Sequence, residues 1–261
     1  MHQPIWDIVR GDQPLVAVAL HDGHAARPDV EAAFALDDLG RLREEDPFTG
    51  GWTVVSDNRV IVQHSRFEVD LNRPPEKAVY VTPEDAWGLQ VWQSTPAKSM
   101  IEQSRAQYNQ FYAEMHKLFE ALRERHGRFV VYDLHSYNHM RDGADGQPAD
   151  PEANPEVNLG TGRLLNRDQW AAVIDRFTAD LRGFDFLGRT LDVRENVKFL
   201  GGYFPVWAHE TFPDSACVLS IEFKKFFMDE WTGQPDTAHV EAIQQALQAT
   251  VPGVLEAAQA L

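Results

Sequence analysis

The sequence predicts an α/β protein in which a mixed central sheet is flanked by helices. Short apolar runs with strand character alternate with longer segments of helical periodicity, as expected where helices cover a sheet. Several of the short runs are apolar on both faces, which is typical of strands in the middle of such a sheet. Apolar residues make up 43% of the 261-residue chain, so the chain can bury a sizeable core.

The first half of the chain contains five predicted strands and helices. Residues 15–20 predict a buried strand, which ends in the polar run HDGH at 21–24. Residues 52–67 predict two short strands joined by a turn. A long amphipathic helix is predicted for 96–125 because its apolar residues recur at helical spacing, and 129–132 predicts a second buried strand.

The second half continues the alternation after a loop. Residues 141–155 are rich in Gly, Asp, Ala and Pro and predict a surface loop that could act as a flap. Helices are predicted for 168–181 and 239–260, with a strand at 216–222 between them. No repeat and no shift in composition marks a boundary, so we expect one domain over residues 1–261.

The charge and cysteine content exclude several classes of partner. The formal net charge of −16 disfavours a duplex-binding surface and an anionic membrane surface. The single cysteine, Cys217, lies in an apolar run and predicts a buried small side chain rather than a nucleophile. The N-terminus shows no secretory signal pattern and no apolar run is long enough for a membrane span. The sequence therefore predicts a cytoplasmic protein without nucleic-acid or membrane partners.

Three predicted strands end in a potential metal ligand or acid. These residues are His21, His135 and Glu222. A catalytic zinc takes three protein ligands and leaves one position for water, whose proton a nearby carboxylate can accept. Alternation along the last strand places Lys224 on the side of Glu222, where it could tune the acid. A single histidine after a strand is more often structural, so the pattern alone leaves both interpretations open.

Residues 65–73 (SRFEVDLNR) concentrate two arginines, an asparagine and two acids in an acidic protein. Arginine is the natural bidentate partner of a carboxylate, which predicts a clamp for a substrate carboxylate. The alternative is a set of ion pairs within the protein, with Glu68 and Asp70 as partners. Charge spacing alone does not choose between these interpretations.

Several motifs occur in a fixed order between about residues 15 and 230. They are His21-Asp22-Gly23, Ser65-Arg66, Asp70-Leu71-Asn72-Arg73, Asp133-Leu134-His135-Ser136, Asn158-Leu159-Gly160, Gly201-Gly202-Tyr203 and Ile221-Glu222. In these motifs the chain resembles the N-formylglutamate amidohydrolase family, which is related to the zinc carboxypeptidases and aspartoacylases. The resemblance implies a zinc-carboxypeptidase-like α/β sandwich.

The resemblance also implies roles for individual residues. His21 and His135 would bind zinc, and Glu222 would activate water and pass its proton to the leaving amine. Arg66 would polarise the scissile carbonyl as well as bind the substrate. The residues implied to bind or surround the substrate are Arg66, Asn72, Arg73, Gly202 and Tyr203.

The third metal ligand is the open point of this assignment. The related carboxypeptidases use a His-x-x-Glu motif, whereas the fourth position here is His24. Formylglutamate hydrolases carry an acidic residue somewhat further on, which falls within 44–46 in this chain. We favour Asp46, with Glu45 and His24 as the alternatives.

The predicted function is zinc-dependent hydrolysis of the amide bond of a small N-acyl amino acid. N-formylglutamate or a similar carboxylate-bearing compound is the expected substrate, and Zn2+ is the expected cofactor. One alternative is a zinc carboxypeptidase that acts on short peptides. Another is a metal-free family member that only binds a small anion. The oligomeric state is left open.

Overall fold

The computed structural model describes residues 4–261. Its strands are β1 (Trp6–Val9), β2 (Leu15–Ala19), β3 (Asn58–Val62), β4 (Phe129–Tyr137), β5 (Val157–Gly160), β6 (Val193–Glu195) and β7 (Ala216–Lys224). Its α-helices are α1 (Pro28–Glu31), α2 (Asp38–Glu44), α3 (Thr49–Trp52), α4 (Lys98–His126), α5 (Ala171–Gly183), α6 (Tyr203–Thr211) and α7 (Thr237–Gln259). Short 3-10 turns lie at Thr53–Val55, Pro75–Lys77, Pro83–Ala86 and Arg167–Trp170.

The strands form one mixed sheet in the spatial order β1-β3-β2-β4-β7-β5-β6. Strands β2, β4 and β7 are neighbours and run parallel, whereas β1 and β5 pair antiparallel with β3 and β7. The carboxyl ends of the three parallel neighbours therefore meet at one edge of the sheet, where open α/β sheets place their sites. The predicted fold class, a mixed sheet flanked by helices, is confirmed.

The core lies on both faces of this sheet. Alternate residues of a strand point to opposite faces, and in β2 Leu15 and Ala17 join the cluster that includes residues of α5 and α7. Val16 and Val18 join the other cluster, which includes residues of α4 and α6. Every residue of β2 is buried, because helices cover the strand on both sides.

A third, smaller apolar cluster supports the segment that carries the predicted clamp. Phe67 and Tyr80 are fully buried in it, and Phe34 stacks on Trp92 with ring centroids 5.3 Å apart. This packing ties residues 65–73 to the segments that precede and follow them. The clamp segment is therefore held by side-chain packing, through Phe67 in this cluster and through Val69 and Leu71 in the sheet cluster that includes residues of α4 and α6.

Two short strands were expected over residues 52–67, and that prediction is wrong. The structure has one strand, β3, preceded by α3 and a 3-10 turn. Gly50 N donates to Asp22 Oδ1 (2.8 Å) and Thr49 Oγ1 donates to Asp46 O (2.7 Å), which fixes a helical turn. Trp52 is fully buried and its indole donates to Val240 O. Contacts that are distant in sequence thus override the local strand signal.

The three longer helices were predicted correctly. Their ends differ from the predicted ends by at most three residues, and a 3-10 turn precedes α5. Residues 141–155 contain neither helix nor strand, as expected for a loop. None of the helices within residues 4–261 pairs a bilayer-spanning length with sufficient apolar character.

Candidate active site

Three side chains meet at the edge of the sheet where the parallel strands have their carboxyl ends: His21, Asp46 and His135. One ligand atom from each lies within 4.8 Å of the others, and all three side chains are buried. His135 lies within β4, and His21 follows β2 after one intervening residue. Asp46 comes from the segment after α2, and its backbone N–H donates to His21 O at 2.8 Å. This bond holds the acidic segment (residues 44–46) against the end of β2.

The Asp46 carboxylate lies between the two imidazole rings. Its Oδ2 is 3.0 Å from His135 Nδ1 and 3.3 Å from His21 Nδ1. Its Oδ1 accepts a hydrogen bond from Ser136 Oγ at 3.2 Å. Burial alone would raise the pKa of Asp46, but the hydrogen bond with His135 and the proximity of the His21 ring outweigh burial and hold this pKa below its usual range. Asp46 is therefore ionised at neutral pH.

The outer nitrogen of each ring is held by a second carboxylate. His21 Nε2 lies 2.8 Å from Asp70 Oδ1, and His135 Nε2 lies 2.9 Å from Asp133 Oδ1. Both Nδ1 atoms are therefore left to face Asp46. Metal-binding histidines usually donate their other N–H to a carboxylate or carbonyl in this way, which fixes the ring and raises its basicity.

The electrostatics of the cluster favour a positive charge at its centre. Burial would lower the pKa of His135, but the carboxylates of Asp133 and Asp46 raise it well above its usual value. His21 Nδ1 is buried and has no hydrogen-bond partner among residues 4–261. Two imidazole nitrogens and one carboxylate oxygen form a donor set that suits a catalytic zinc. The residues present therefore fit the implied metal ion.

The two alternative ligands point elsewhere. The Glu45 carboxylate accepts from Ser65 Oγ and lies 2.6 Å from His24 Nδ1. The ring of His24 in turn lies beside Arg41. Glu45 and His24 thus form their own pair, and the structure brings Asp46 rather than either of them to the two histidines.

Glu222 lies beside the cluster on the neighbouring strand. It is directly opposite His135 in the parallel pairing of β4 with β7. Its half-buried side chain lines a cleft. Burial raises the pKa of Glu222 to about 8, although the charge of His135 opposes the shift. A carboxyl group with such a pKa can both accept and release a proton near neutral pH.

The cleft that these residues line has a volume of about 620 Å³. Six of the 24 lysines and arginines of this acidic chain line it, against three carboxylates, Glu44, Asp46 and Glu222. The six cations are Arg66, Arg73, Arg141, Arg163, Lys198 and Lys225. Convergent cations in a concave site attract anionic ligands even when the protein as a whole is acidic.

Arg66 is held in place but retains a free donor. Its guanidinium donates to Asp70 Oδ2 at 2.8 Å and lies 5.1 Å from the ring centroid of Trp87. Arg66 Nε is buried without a hydrogen-bond partner among the described residues. Arg73 is more exposed, and its Nε lies 3.8 Å from Asp70 Oδ2. Both arginines therefore share Asp70 as an anchor while lining the cleft.

Asn72 connects the clamp segment to α6. Its Oδ1 accepts from Phe204 N at 2.9 Å, in the first turn of that helix. A Cβ atom at Gly202 would collide with the Asn72 side chain, so this position needs glycine for a close approach. Tyr203 donates its backbone N–H to Asn72 O at 3.1 Å and also lines the cleft.

Sequence reasoning missed the residues that orient the histidines. Asp133 and His135 are two apart in one strand, a spacing that puts both on one face and could have indicated their contact. Asp70 was considered only as an ion-pair partner of the arginines. Lys224, which was singled out, donates to Asn154 O at 3.1 Å, whereas the neighbouring Lys225 lines the cleft. The loop cations Arg141, Arg163 and Lys198 carry no local sequence signal.

The fold and the site together define an α/β protein with a candidate metal-dependent hydrolytic cleft at the carboxyl ends of its parallel strands. The chain belongs to the N-formylglutamate amidohydrolase family, whose model matches residues 13–227. Family membership indicates an amidohydrolase with a small-molecule substrate. No curated protein matches the sequence significantly.

Solved structures show the same fold at low sequence identity. An N-formylglutamate amidohydrolase from Ralstonia eutropha JMP134 aligns with a TM-score of 0.73 and 16% identity, covering 98% of both chains. A gene product of Agrobacterium tumefaciens aligns with a TM-score of 0.60 and 18% identity, covering 94% of this chain and 95% of that one. At such identities the likeness concerns the fold alone.

Proposed function

We propose that this protein hydrolyses the amide bond of N-formyl-L-glutamate, or of a similar carboxylate-bearing N-acyl amino acid, with the help of zinc. One observation carries the proposal: the Nδ1 atoms of His21 and His135 converge on Asp46 while a further carboxylate holds the other nitrogen of each ring. Membership of the amidohydrolase family supports the choice of an amide substrate.

His21, Asp46 and His135 would hold the metal. When bound, zinc lowers the pKa of a water molecule to about 7 and polarises a carbonyl oxygen. Asp70 and Asp133 keep the two rings in the required tautomer and orientation, because each accepts from an Nε2 atom. Buried and hydrogen-bonded groups of this kind need little rearrangement when a ligand binds.

Glu222 moves the proton. Water adds its oxygen to the acyl carbon, Glu222 takes the water proton, and the same carboxyl group then protonates the leaving nitrogen as the C–N bond breaks. The products are a carboxylate, formate in the case of a formyl group, and the free amino acid. The raised pKa of Glu222, about 8, suits a group that must hold this proton between the two events.

Two N–H groups beside the cleft have no acceptor within the protein. Arg66 Nε is buried and has no partner among the described residues, so a ligand would reach it only after the guanidinium shifts. Asn72 Nδ2 lies 3.4 Å from His135 Nε2, but that nitrogen donates its own proton to Asp133 and cannot also accept one. The Asn72 amide is therefore free to donate to a ligand, and such donors stabilise negative charge that develops on oxygen.

The loop cations support a substrate with a second carboxylate. Arg163 and Lys198 have no carboxylate within 4.0 Å among residues 4–261, and Arg141 has only Glu44 at 3.8 Å. Burial and the charge of Arg141 lower the pKa of Lys198, so two like charges lie near each other in this part of the cleft. Arg73 would bind one substrate carboxylate, and the loop cations would attract the other.

The test is an assay on chelator-treated protein before and after zinc is restored. We expect about one zinc per chain and zinc-dependent release of formate from N-formylglutamate. Release of amino acids from short peptides instead would favour the carboxypeptidase alternative. A protein that binds glutamate derivatives but neither binds zinc nor releases formate would contradict the proposal and favour a metal-free anion-binding function.

A further inference from the structure

Lys225 is a buried lysine that no step of the proposed reaction uses. Its side chain is 1% exposed, and it follows β7, three residues after Glu222. Its ammonium group donates to Glu45 O at 2.7 Å and to Arg43 O at 2.5 Å. No carboxylate of residues 4–261 lies within 4.0 Å of it. The identified acceptors are thus backbone carbonyls of the segment that leads to Asp46.

These two carbonyls belong to the end of α2. The last carbonyl groups of a helix have no partner within the helix and need one elsewhere, and a lysine near that end is favourable. Glu45 caps α2 and turns the chain into extended backbone, and Asp46 follows directly. Lys225 therefore satisfies the carbonyls just before Asp46, while His21 O accepts the N–H of Asp46 itself.

We propose that Lys225 is a positioning residue that presents Asp46 to the metal. This inference rests on the proposed metal-binding function. The backbone on the α2 side of Asp46 is held by the Lys225 ammonium, Asp46 N–H donates to His21 O, and Asp46 O accepts from Thr49 Oγ1 on the other side. With these contacts in place, the Asp46 carboxylate stays between the two Nδ1 atoms. Without the ammonium group, the end of α2 can move, and Asp46 moves with it.

A direct catalytic role fits Lys225 less well. Two of the three ammonium donors are committed to carbonyl oxygens, and almost none of the side chain is exposed. A role confined to general stability would make the variant unfold more easily without changing the geometry of the folded site. Metal affinity separates that role from positioning, because it reports how well Asp46 is placed in the folded protein.

The experiment measures zinc affinity of folded, metal-depleted protein by competition with a chromogenic chelator. Lys225→Met removes the donors and leaves an unbranched side chain that is one atom shorter, and we expect affinity to fall about 10- to 100-fold. Lys224→Met is the matched control, since Lys224 donates to Asn154 O, away from the acidic segment. We expect its affinity to stay within about twofold of wild type, in contrast to the loss that outer contacts of a metal site produce.

A double-mutant cycle sharpens the assignment. If Lys225 acts through Asp46, then Lys225→Met should cause little further loss of zinc affinity in an Asp46→Ala background. Should Lys225→Met fail to fold, Lys225→Gln retains two N–H donors on a shorter, uncharged side chain, and we expect a smaller loss of affinity from it, above twofold. Circular dichroism checks that each variant is folded before titration.

The outcomes separate this inference from the proposed function. Wild-type protein that binds zinc, together with a folded Lys225 variant of equal affinity, overturns the positioning role alone, even if the variant melts earlier. An equal additional loss in the Asp46→Ala background also overturns it. Wild-type protein that binds no zinc overturns the proposed function and this inference together.

Discussion

The strand-end cluster (His21, Asp46 and His135) and the loop cations (Arg141, Arg163 and Lys198) line the same cleft but are built in opposite ways. The cluster residues are only 2–3% exposed, and several hydrogen bonds fix each of them. The loop cations are exposed and come from irregular segments. In Arg141, 56% of the side chain is accessible, and its only charged partner among the described residues is 3.8 Å away.

This difference means that the strand-end cluster acts through fixed distances, whereas the loop cations act by attracting charge from further away. A buried donor set acts at fixed distances, so the loss of one oriented group changes the site by a large factor. An exposed cation acts over several ångströms through water, where salt screens it and side-chain motion weakens each contact. We therefore expect substitutions at the strand ends to have larger effects than substitutions in the loops.

The largest effect is expected for Glu222→Gln. The amide is the same size but cannot take or deliver the proton, so kcat should fall about 10²- to 10⁴-fold. Zinc affinity should stay close to that of wild type, because Glu222 lies beside the donor set rather than in it. Formate release and chelator competition measure the two quantities. A variant that keeps more than a tenth of the wild-type kcat would remove Glu222 from the mechanism.

Asp133→Asn tests the orientation of His135. The amide can still accept a hydrogen bond but lacks the charge that makes the imidazole more basic, so zinc affinity should fall about 10- to 100-fold. Ser220→Ala is the control, since Ser220 Oγ donates to the other oxygen of Asp133 at 3.2 Å and is one step further from the ring. If both variants lose affinity equally, the charge of Asp133 is not what matters.

The stability of the metal-free protein should depend on pH through Glu222. The pKa of this group is 4.5 when unperturbed and about 8 in the folded chain. The folded state thus favours the protonated form. The resulting stability is fully present below pH 4.5 and is lost as pH rises through 8. Solvent in the cleft reduces the effect, and we expect a loss on the order of 2 kcal/mol.

Urea unfolding of wild type and Glu222→Gln between pH 4.5 and 8, with a chelator present, measures this loss. The free energy of unfolding of wild type should fall relative to that of the variant across this range, because the variant has no group to ionise there. A constant difference between the two proteins would show that burial does not raise the pKa of Glu222.

The sequence predicted the strand-end cluster better than its surroundings, and the reason is physical. His21, His135 and Glu222 follow or lie in strands whose apolar pattern is local, so their meeting at one sheet edge follows from strand order. The choice of Asp46 over Glu45 depends on contacts with His21 O and Lys225, which no spacing within residues 44–46 contains. The motif resemblance narrowed the choice of the third metal ligand, and only tertiary contacts distinguish Asp46 from Glu45.

Two other features that the sequence did not predict have the same origin. The segment 52–67 has strand-like composition, but Asp22 and the buried Trp52 impose a helical turn at its start. The loop cations are far apart in sequence and lie in segments without periodicity, so only the folded chain brings them to the cleft. Local patterns predict what a strand or helix does by itself, whereas these features arise from contacts between segments.

The smallest effect is expected for Arg163→Ala, which tests the loop cations. An exposed charge that attracts an anion contributes about 0.5–1 kcal/mol, so KM for N-formylglutamate should rise roughly two- to fivefold at low salt while kcat changes little. Arg167→Ala is the matched control, because Arg167 pairs with Glu195 at 2.7 Å and does not line the cleft. Its KM should stay at the wild-type value.

Salt separates attraction from fixed geometry in this comparison. Because ions screen exposed charges over about 8–10 Å, added salt should raise the KM of wild type towards that of Arg163→Ala and leave the variant less affected. If Arg163→Ala instead lowers kcat by more than tenfold at every salt concentration, then Arg163 makes a fixed contact with the reacting group. The division between a rigid strand-end cluster and screened loop cations would then be wrong at this residue.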